Sequence, residues 1–272
     1  MSSILLHLIA SLAYLALAVF LWKGLQRGPD APVRQSARVA HALIAVPLLV
    51  HAILLSRSMF HSDGLHLGVG NAVSLIIALT VLIYWIASFF HRLEGLTAMV
   101  LPAAAILSWL PMLTPSTQPL ANTGLFVFKA HLLIAMLAYS LFTVASLHVL
   151  LMAIVEKQLH AHHVPRFIQA LPPLLSMESV LFKIIGSGFV FLTLTLATGV
   201  LFSEELFGKP LSFTHKTVFG FISWFIFGAL LLGRAFYGWR GRVAVRWTLA
   251  GFMALVLAYI GSRFVIEVIL RR

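Results

Sequence analysis

The 272 residues are 61% hydrophobic and only 10% charged, with a mean hydropathy of +1.01. No soluble core needs that much apolar material, so the chain is an integral membrane protein. Its formal charge is +11, from 19 Lys and Arg against 8 Asp and Glu, and it has no cysteine. Disulfides, thiolate-bound metal and thiol reduction by this chain are thereby excluded. Membrane topology and anionic lipid account for the basicity without nucleic acid as a partner.

A spanning helix takes about 20 mostly apolar residues. That length predicts eight spans, at roughly 3–22, 39–57, 71–90, 95–114, 126–155, 181–202, 215–233 and 247–270. The linkers are too short for a soluble domain, so the expectation is all-α, one polytopic transmembrane helical bundle over residues 1–272. The first span has no basic segment before it and runs into Trp22-Lys23, which reads as a retained helix and not a cleaved signal. The second carries Pro47 and His51 and closes on Arg57, and His61 and His66 follow in its loop. The fourth contains Pro102 and Pro111, and with Pro47 these are expected to kink their helices. The fifth opens on Lys129 and His131 and carries His148 further along; His160, His162 and His163 then lie in a solvated loop, although such tracts can bind metal. The sixth holds the small residues Gly186, Ser187 and Gly188, and the eighth repeats Ala250, Ala254, Ala258 and Ser262, seams that admit close helix approach. The seventh begins in the stretch FTHKTVFGFISW (213–224), where His215 and Lys216 stand at the threshold of an apolar run.

Lys and Arg give an orientation. The loops at 23–38, 91–94, 156–180 and 234–246 hold most of the loop charge, whereas those at 58–70, 115–125 and 203–214 hold Lys209 alone. The positive-inside rule then places the basic loops in the cytoplasm and both termini outside. In that frame His51, His61, His66, His131 and His215, from four separate segments, come to one membrane depth at the outer side. His7, His41 and His148 are isolated and expected to be buried and hydrogen-bonded, and His91 interfacial. Ionisable groups at membrane depth are candidates for function, and neutral imidazoles from facing helices suit a six-coordinate haem iron. Arg57, Lys129, Lys216 and Arg263 fall at the same outer helix ends, where cations can hold haem carboxylates. Snorkelling to the interface explains Lys129 and Arg57 equally well, while Glu267, four residues after Arg263, suggests a paired, inward-facing charge. No phosphate loop, nucleophile elbow, HExxH or paired-carboxylate site occurs, so no enzyme is expected.

Three stretches carry a resemblance. They are KAHLLIAMLAYSLFTVASLHVLLM (129–152), PPLLSMESVLFKIIGSGFVFLTLTLATGVLF (172–202) and GRAFYGWRGRVAVRWTLAGFMALVLAYIGSRF (233–264). In this order they resemble the cytochrome c assembly family, which includes the CcsA and CcmC haem-handling proteins, and within it the short YpjD-like branch, with HemX-like proteins nearby. The likeness covers about 40–270, more loosely in the first half through LVHAILLSR (49–57) and GNAVSLIIALT (70–80). It implies a bacterial inner-membrane protein that binds non-covalent haem b through axial histidine at its outer face. The partners it implies are lipid and other cytochrome c maturation or haem-pathway membrane proteins. Full members carry a tryptophan-rich outer loop ending in a WDPKETW-like sequence. Here Lys216 keeps its place, but Phe213, Thr214 and Thr217 stand at Trp, Asp and Glu positions. The family ligand ahead of that loop matches His131; the one after it falls near Leu270, where there is no histidine. His215 or His51 is then left to supply the second ligand, with His66 also among the candidate cofactor-binding residues. The alternative is a regulatory or accessory subunit of another membrane complex that uses the same fold without haem. A transporter would call for inverted repeats with broken helices, and the sequence shows no internal repeat.

Overall fold

A computed structural model describes residues 3–27, 39, 41–62, 64–91, 93–114, 119–120, 123–160, 165–203 and 214–261. Among them, seven helices are long and apolar enough to cross a membrane, and Thr97–Leu113 is a shorter apolar helix. The elements in chain order are α1 (Ser3–Gln26), α2 (Ala45–Met59), a two-stranded antiparallel hairpin of β1 (Phe60–His61) and β2 (Gly64–Leu65), α3 (Val69–Ser88), α4 (Thr97–Leu107) and α5 (Leu110–Leu113). Then come α6 (Phe126–His160), α7 (Arg166–Gln169), α8 (Leu174–Leu201), α9 (His215–Tyr237) and α10 (Arg242–Val256), the last continued by a wider turn through Leu257–Gly261. The protein is an all-α, polytopic membrane bundle.

The helices fall into two groups of neighbours. In the first, α1 packs on α2 and α4, and α3 on α2 and α4. In the second, α6 packs on α8 and α10, and α9 on the same two. The α3–α6 contact joins the groups. Prolines set the breaks in the first group. Pro47 cannot donate to residue 43, and the apolar helix His41–Met59 is interrupted at Ile44. Pro111 opens α5 after a turn at Ser108–Trp109, which splits the fourth span in two. Pro102, by contrast, is carried inside α4.

The second group is built around two stacked rings. Phe142 of α6 and Phe227 of α9 are both fully buried, with centroids 3.8 Å apart. Glycine on the other two helices makes room for them. A Cβ at Gly188 of α8 would lie 3.1 Å from Phe142 Cζ, and one at Gly251 of α10 would lie 2.8 Å from Phe227 Cζ. Ser223 Oγ donates to the Gly251 carbonyl at 2.9 Å and fixes that close approach. The small-residue seam expected along 250–262 is therefore only partly in contact. Ala254 and Ala258 are buried, Ala250 is exposed, Gly251 makes the closest approach, and Ser262 lies outside the described residues.

The basic ends gather at one end of the molecule. There Trp22 packs on Phe167 at 5.1 Å, Glu156 pairs with Arg242 at 3.2 Å, and Glu178 lies 3.8 Å from Arg240. The sixth span starts earlier than hydropathy predicts, at Leu174 rather than 181, because Glu178 is not a loop residue. It is a buried residue of α8 whose Oε1 accepts the Gly241 backbone N–H at 2.8 Å, in the turn where Gly238 and Gly241 take positive φ. An apolar window discards a charge that tertiary structure satisfies.

Candidate functional site: the rim of the second helix group

At the end opposite the basic loops, the Phe142–Phe227 stack forms the floor of a rim. From that stack α6 rises eleven residues to His131 and α9 rises to Lys216, each about 16 Å at 1.5 Å per residue. Gly188 to Thr198 on α8 covers a similar height, about 15 Å. His131, Thr198 and Lys216 thus stand at one level on three adjacent helices, and Tyr259 joins them from the end of α10.

His131 is half-buried, and its Nδ1 lies 2.8 Å from Thr198 Oγ1. The hydroxyl's own proton is directed at backbone carbonyls, Leu194 at 2.8 Å and Thr195 at 3.1 Å. Thr198 Oγ1 therefore accepts, His131 Nδ1–H donates, and the imidazole lone pair is placed on Nε2. A histidine bound through Nε2 to a metal needs this tautomer, held by a partner on the other nitrogen.

Lys216 is exposed in the first turn of α9, with Nζ 5.7 Å from the centre of the Tyr259 ring, within cation–π range. The Tyr259 hydroxyl reaches the Leu67 carbonyl at 3.5 Å, and its ring meets Tyr139 edge-on at 6.2 Å. His215, the first residue of α9, is exposed. Arg57 is exposed in the last turn of α2. Lys129 is likewise exposed. His66 is buried beside His61 in the hairpin, the two ring centroids 4.6 Å apart. Arg263, Glu267 and Phe213 lie outside the described residues. Of the other aromatic residues near this end, Trp224 stacks on Phe189 at 5.5 Å and donates to Thr193, and Phe128 is buried while Phe126 is exposed.

His51 is not on this rim. It is fully buried inside the first group, with Nε2 2.8 Å from Ser74 Oγ and Nδ1 3.4 Å from the Tyr14 hydroxyl, so both ring nitrogens are engaged within the protein. The other isolated histidines are buried or half-buried polar residues as expected. His148 Nε2 donates to the Met177 carbonyl at 3.0 Å, His41 meets the Tyr84 hydroxyl at 3.2 Å, and His7 stacks on Trp109 at 5.5 Å. Thr198 and Tyr259 went unnoticed in the sequence. Thr198 sits in the unremarkable run LTLTLATG (192–199), and only the fold sets it opposite His131. Asn71, an amide in the first turn of an apolar span, did carry a signal.

The fold defines a polytopic helical membrane protein whose second four helices end in a rim of histidine, threonine, lysine and tyrosine. The family model described as cytochrome C assembly protein matches residues 39–270, and the chain belongs to that family. Inner membrane protein YpjD of Escherichia coli strain K12 is 32% identical over 237 residues, 85% of this chain and 88% of that protein. The cytochrome c biogenesis protein CcsA of Gloeobacter violaceus is 29% identical over 92 residues, 34% of this chain and 27% of that one. A Prochlorococcus marinus (strain MIT 9515) CcsA is 34% identical over 88 residues, 32% of this chain and 28% of its own. No solved structure matches the chain.

Proposed function

We propose that this protein binds haem b non-covalently at the outer face of the bacterial inner membrane and serves cytochrome c assembly there, with His131 as an axial ligand. The observation that carries this reading is the His131–Thr198 pair, which holds the imidazole in the tautomer that ligates through Nε2. The donor set suits the group: a neutral imidazole at the rim for iron, cations for the two carboxylates, and apolar helix walls beneath. Haem, when bound, supplies an iron centre for delivery to an apocytochrome. The chain's own residues orient and hold it. Lys216 is assigned to one carboxylate, with Arg57 and Arg263 as the further cations of that end, and His215 remains a neighbouring imidazole. Haem transfer would involve other membrane proteins of cytochrome c maturation, which reduce the acceptor cysteines because this chain has none.

The test is the absorption spectrum of the detergent-purified protein from haem-replete cells. A Soret band is expected in the parent protein and lost in His131→Ala, with the variant still inserted and monodisperse. Wild-type haem content and spectrum in His131→Ala would remove the ligand assignment. A parent protein free of haem would favour the second reading, an accessory subunit without haem. The missing tryptophan and acidic positions of FTHKTVF already lean that way. Outer-face placement has its own test. A reporter fused after Arg272 should behave as periplasmic, and strong cytoplasmic activity there would invert the molecule.

A further inference from the structure

We infer that a haem ligated by His131 at this rim would take a second imidazole from His66, in the hairpin of the first helix group. The inference rests on the haem reading and adds to it the residue that replaces the ligand absent near Leu270.

The hairpin is held in place by an unusual expenditure of polar groups. The His66 backbone N–H donates to the Met59 carbonyl at 2.7 Å, and its carbonyl accepts from Asn71 Nδ2 at 2.8 Å. The other Asn71 contacts close the same knot. Nδ2 also donates to the Ser58 carbonyl at 3.0 Å, and Oδ1 accepts from Ser58 Oγ at 2.8 Å. Asn71 is 3% exposed. An amide buried at a helix start is costly unless bonded, and here one of its bonds goes to His66 itself and two go to Ser58, the neighbour of the Met59 whose carbonyl the His66 N–H meets. Gly64, at φ +137°, closes the hairpin between the two histidines, and Leu120 N–H donates to the Leu65 carbonyl at 2.8 Å.

The fixed segment leans on the rim of the other helix group. Leu67, next to His66, is buried in a cluster that Leu132 and Tyr259 also pack against. Leu132 is the neighbour of His131 on α6, and Tyr259 is the ring beneath Lys216, its hydroxyl reaching the Leu67 carbonyl at 3.5 Å. One apolar cluster therefore ties the residue after His66 to the residue after His131.

The remaining histidines are placed worse for this role. His51 has both ring nitrogens engaged with Tyr14 and Ser74 inside the first group. His148 is bonded to Met177 near the opposite end. His215 is exposed at the first residue of its helix, and no hydrogen bond that fixes its ring is seen among the described residues.

The experiment is titration of the purified, full-length protein with hemin, read by absorption and electron paramagnetic resonance. The parent protein should give a low-spin, bis-imidazole signature. His66→Gly should give a high-spin, five-coordinate haem bound about tenfold more weakly or worse, and added imidazole should restore the low-spin signature. His215→Ala should remain low-spin. Imidazole rescue shows that the position His66 vacates is open to a ligand, and an unchanged unfolding temperature in His66→Gly separates loss of the ligand from collapse of the hairpin. Asn71→Ala, which loosens the clamp and leaves the imidazole, should give a mixture of spin states. Low-spin haem in His66→Gly without imidazole would overturn the assignment and leave the haem reading intact, as would a high-spin parent protein. A parent protein that takes up no hemin would overturn the haem reading and this inference together.

Discussion

The two helix groups put the same residue type to different uses. In the first, His51 is fully buried and contacts Tyr14 and Ser74 through its two ring nitrogens, and His41 closes a second knot with Tyr84, which in turn hydrogen-bonds Thr97. These imidazoles tie α1, α2, α3 and α4 together where apolar side chains alone would leave helix register weakly specified, since lipid is as apolar as leucine. In the second group the interior is closed by aromatic stacking and glycine, with His148 buried against the Met177 carbonyl toward the basic end and His131 at the rim. There one nitrogen of His131 is held by a hydroxyl that is itself committed to backbone carbonyls. Membrane depth alone does not separate a structural histidine from a candidate ligand. Partner chemistry does.

The strongest way to break the contrast is to attack what closes the second group. Gly251→Leu places a Cβ 2.8 Å from Phe227 Cζ and 3.1 Å from Ile226 Cγ2, while the Ser223 bond to the Gly251 carbonyl resists a shift of α10. Overpacking of this kind costs about 1–3 kcal/mol, and the upper end is expected because the obstacle is a fully buried ring stack. Thermal unfolding in detergent measures it. A variant as stable as the parent would mean that the Phe142–Phe227 stack is not what holds the second group closed.

The crossed test of the two histidines comes next. His51→Ala leaves the Tyr14 hydroxyl and Ser74 Oγ without their partner in a dry interior, at about 1–3 kcal/mol. It should lower the unfolding temperature and leave hemin uptake per folded molecule unchanged, the reverse of His131→Ala. Loss of hemin binding in a stably folded His51→Ala protein would move His51 back to the cofactor.

Spans, their order and the basic end were legible because hydropathy and Lys/Arg placement are local quantities. Family membership was legible because α6, α8 and α10 retain stretches of the family pattern. The site was legible only in part. His131 stood out as an imidazole at a helix start. His51 looked equivalent because the loop charges assign it the same depth, and nothing local announces that Tyr14 and Ser74, 37 and 23 residues away, occupy its nitrogens. Thr198 was invisible for the same reason, being 67 residues from His131. Glu178 fell before the predicted start of the sixth span because a charge lowers the hydropathy of any window, whereas in the structure it lies early in α8 and accepts a hydrogen bond from Gly241.

Thr198→Val gives the finest measure of the difference between the groups. Valine keeps the branched shape and removes the hydroxyl, which is the acceptor for His131 Nδ1 and a donor to carbonyls of its own helix, so helix packing should change little. The ring then loses what fixes its tautomer, and the population with its lone pair on Nε2 falls. Loss of such an outer partner weakens a metal site by about 10–100-fold. The lower end is expected here, about tenfold in hemin affinity or 1.4 kcal/mol, because His131 is half-buried and water can replace part of the bond. Thr198→Ser, which keeps the hydroxyl, should return affinity to within a factor of about two, a few tenths of a kcal/mol. If Thr198→Val and Thr198→Ser bound hemin equally well, the hydroxyl would be a helix-internal bond to Leu194 and Thr195 and nothing more. The tautomer of His131 would then have to be set elsewhere.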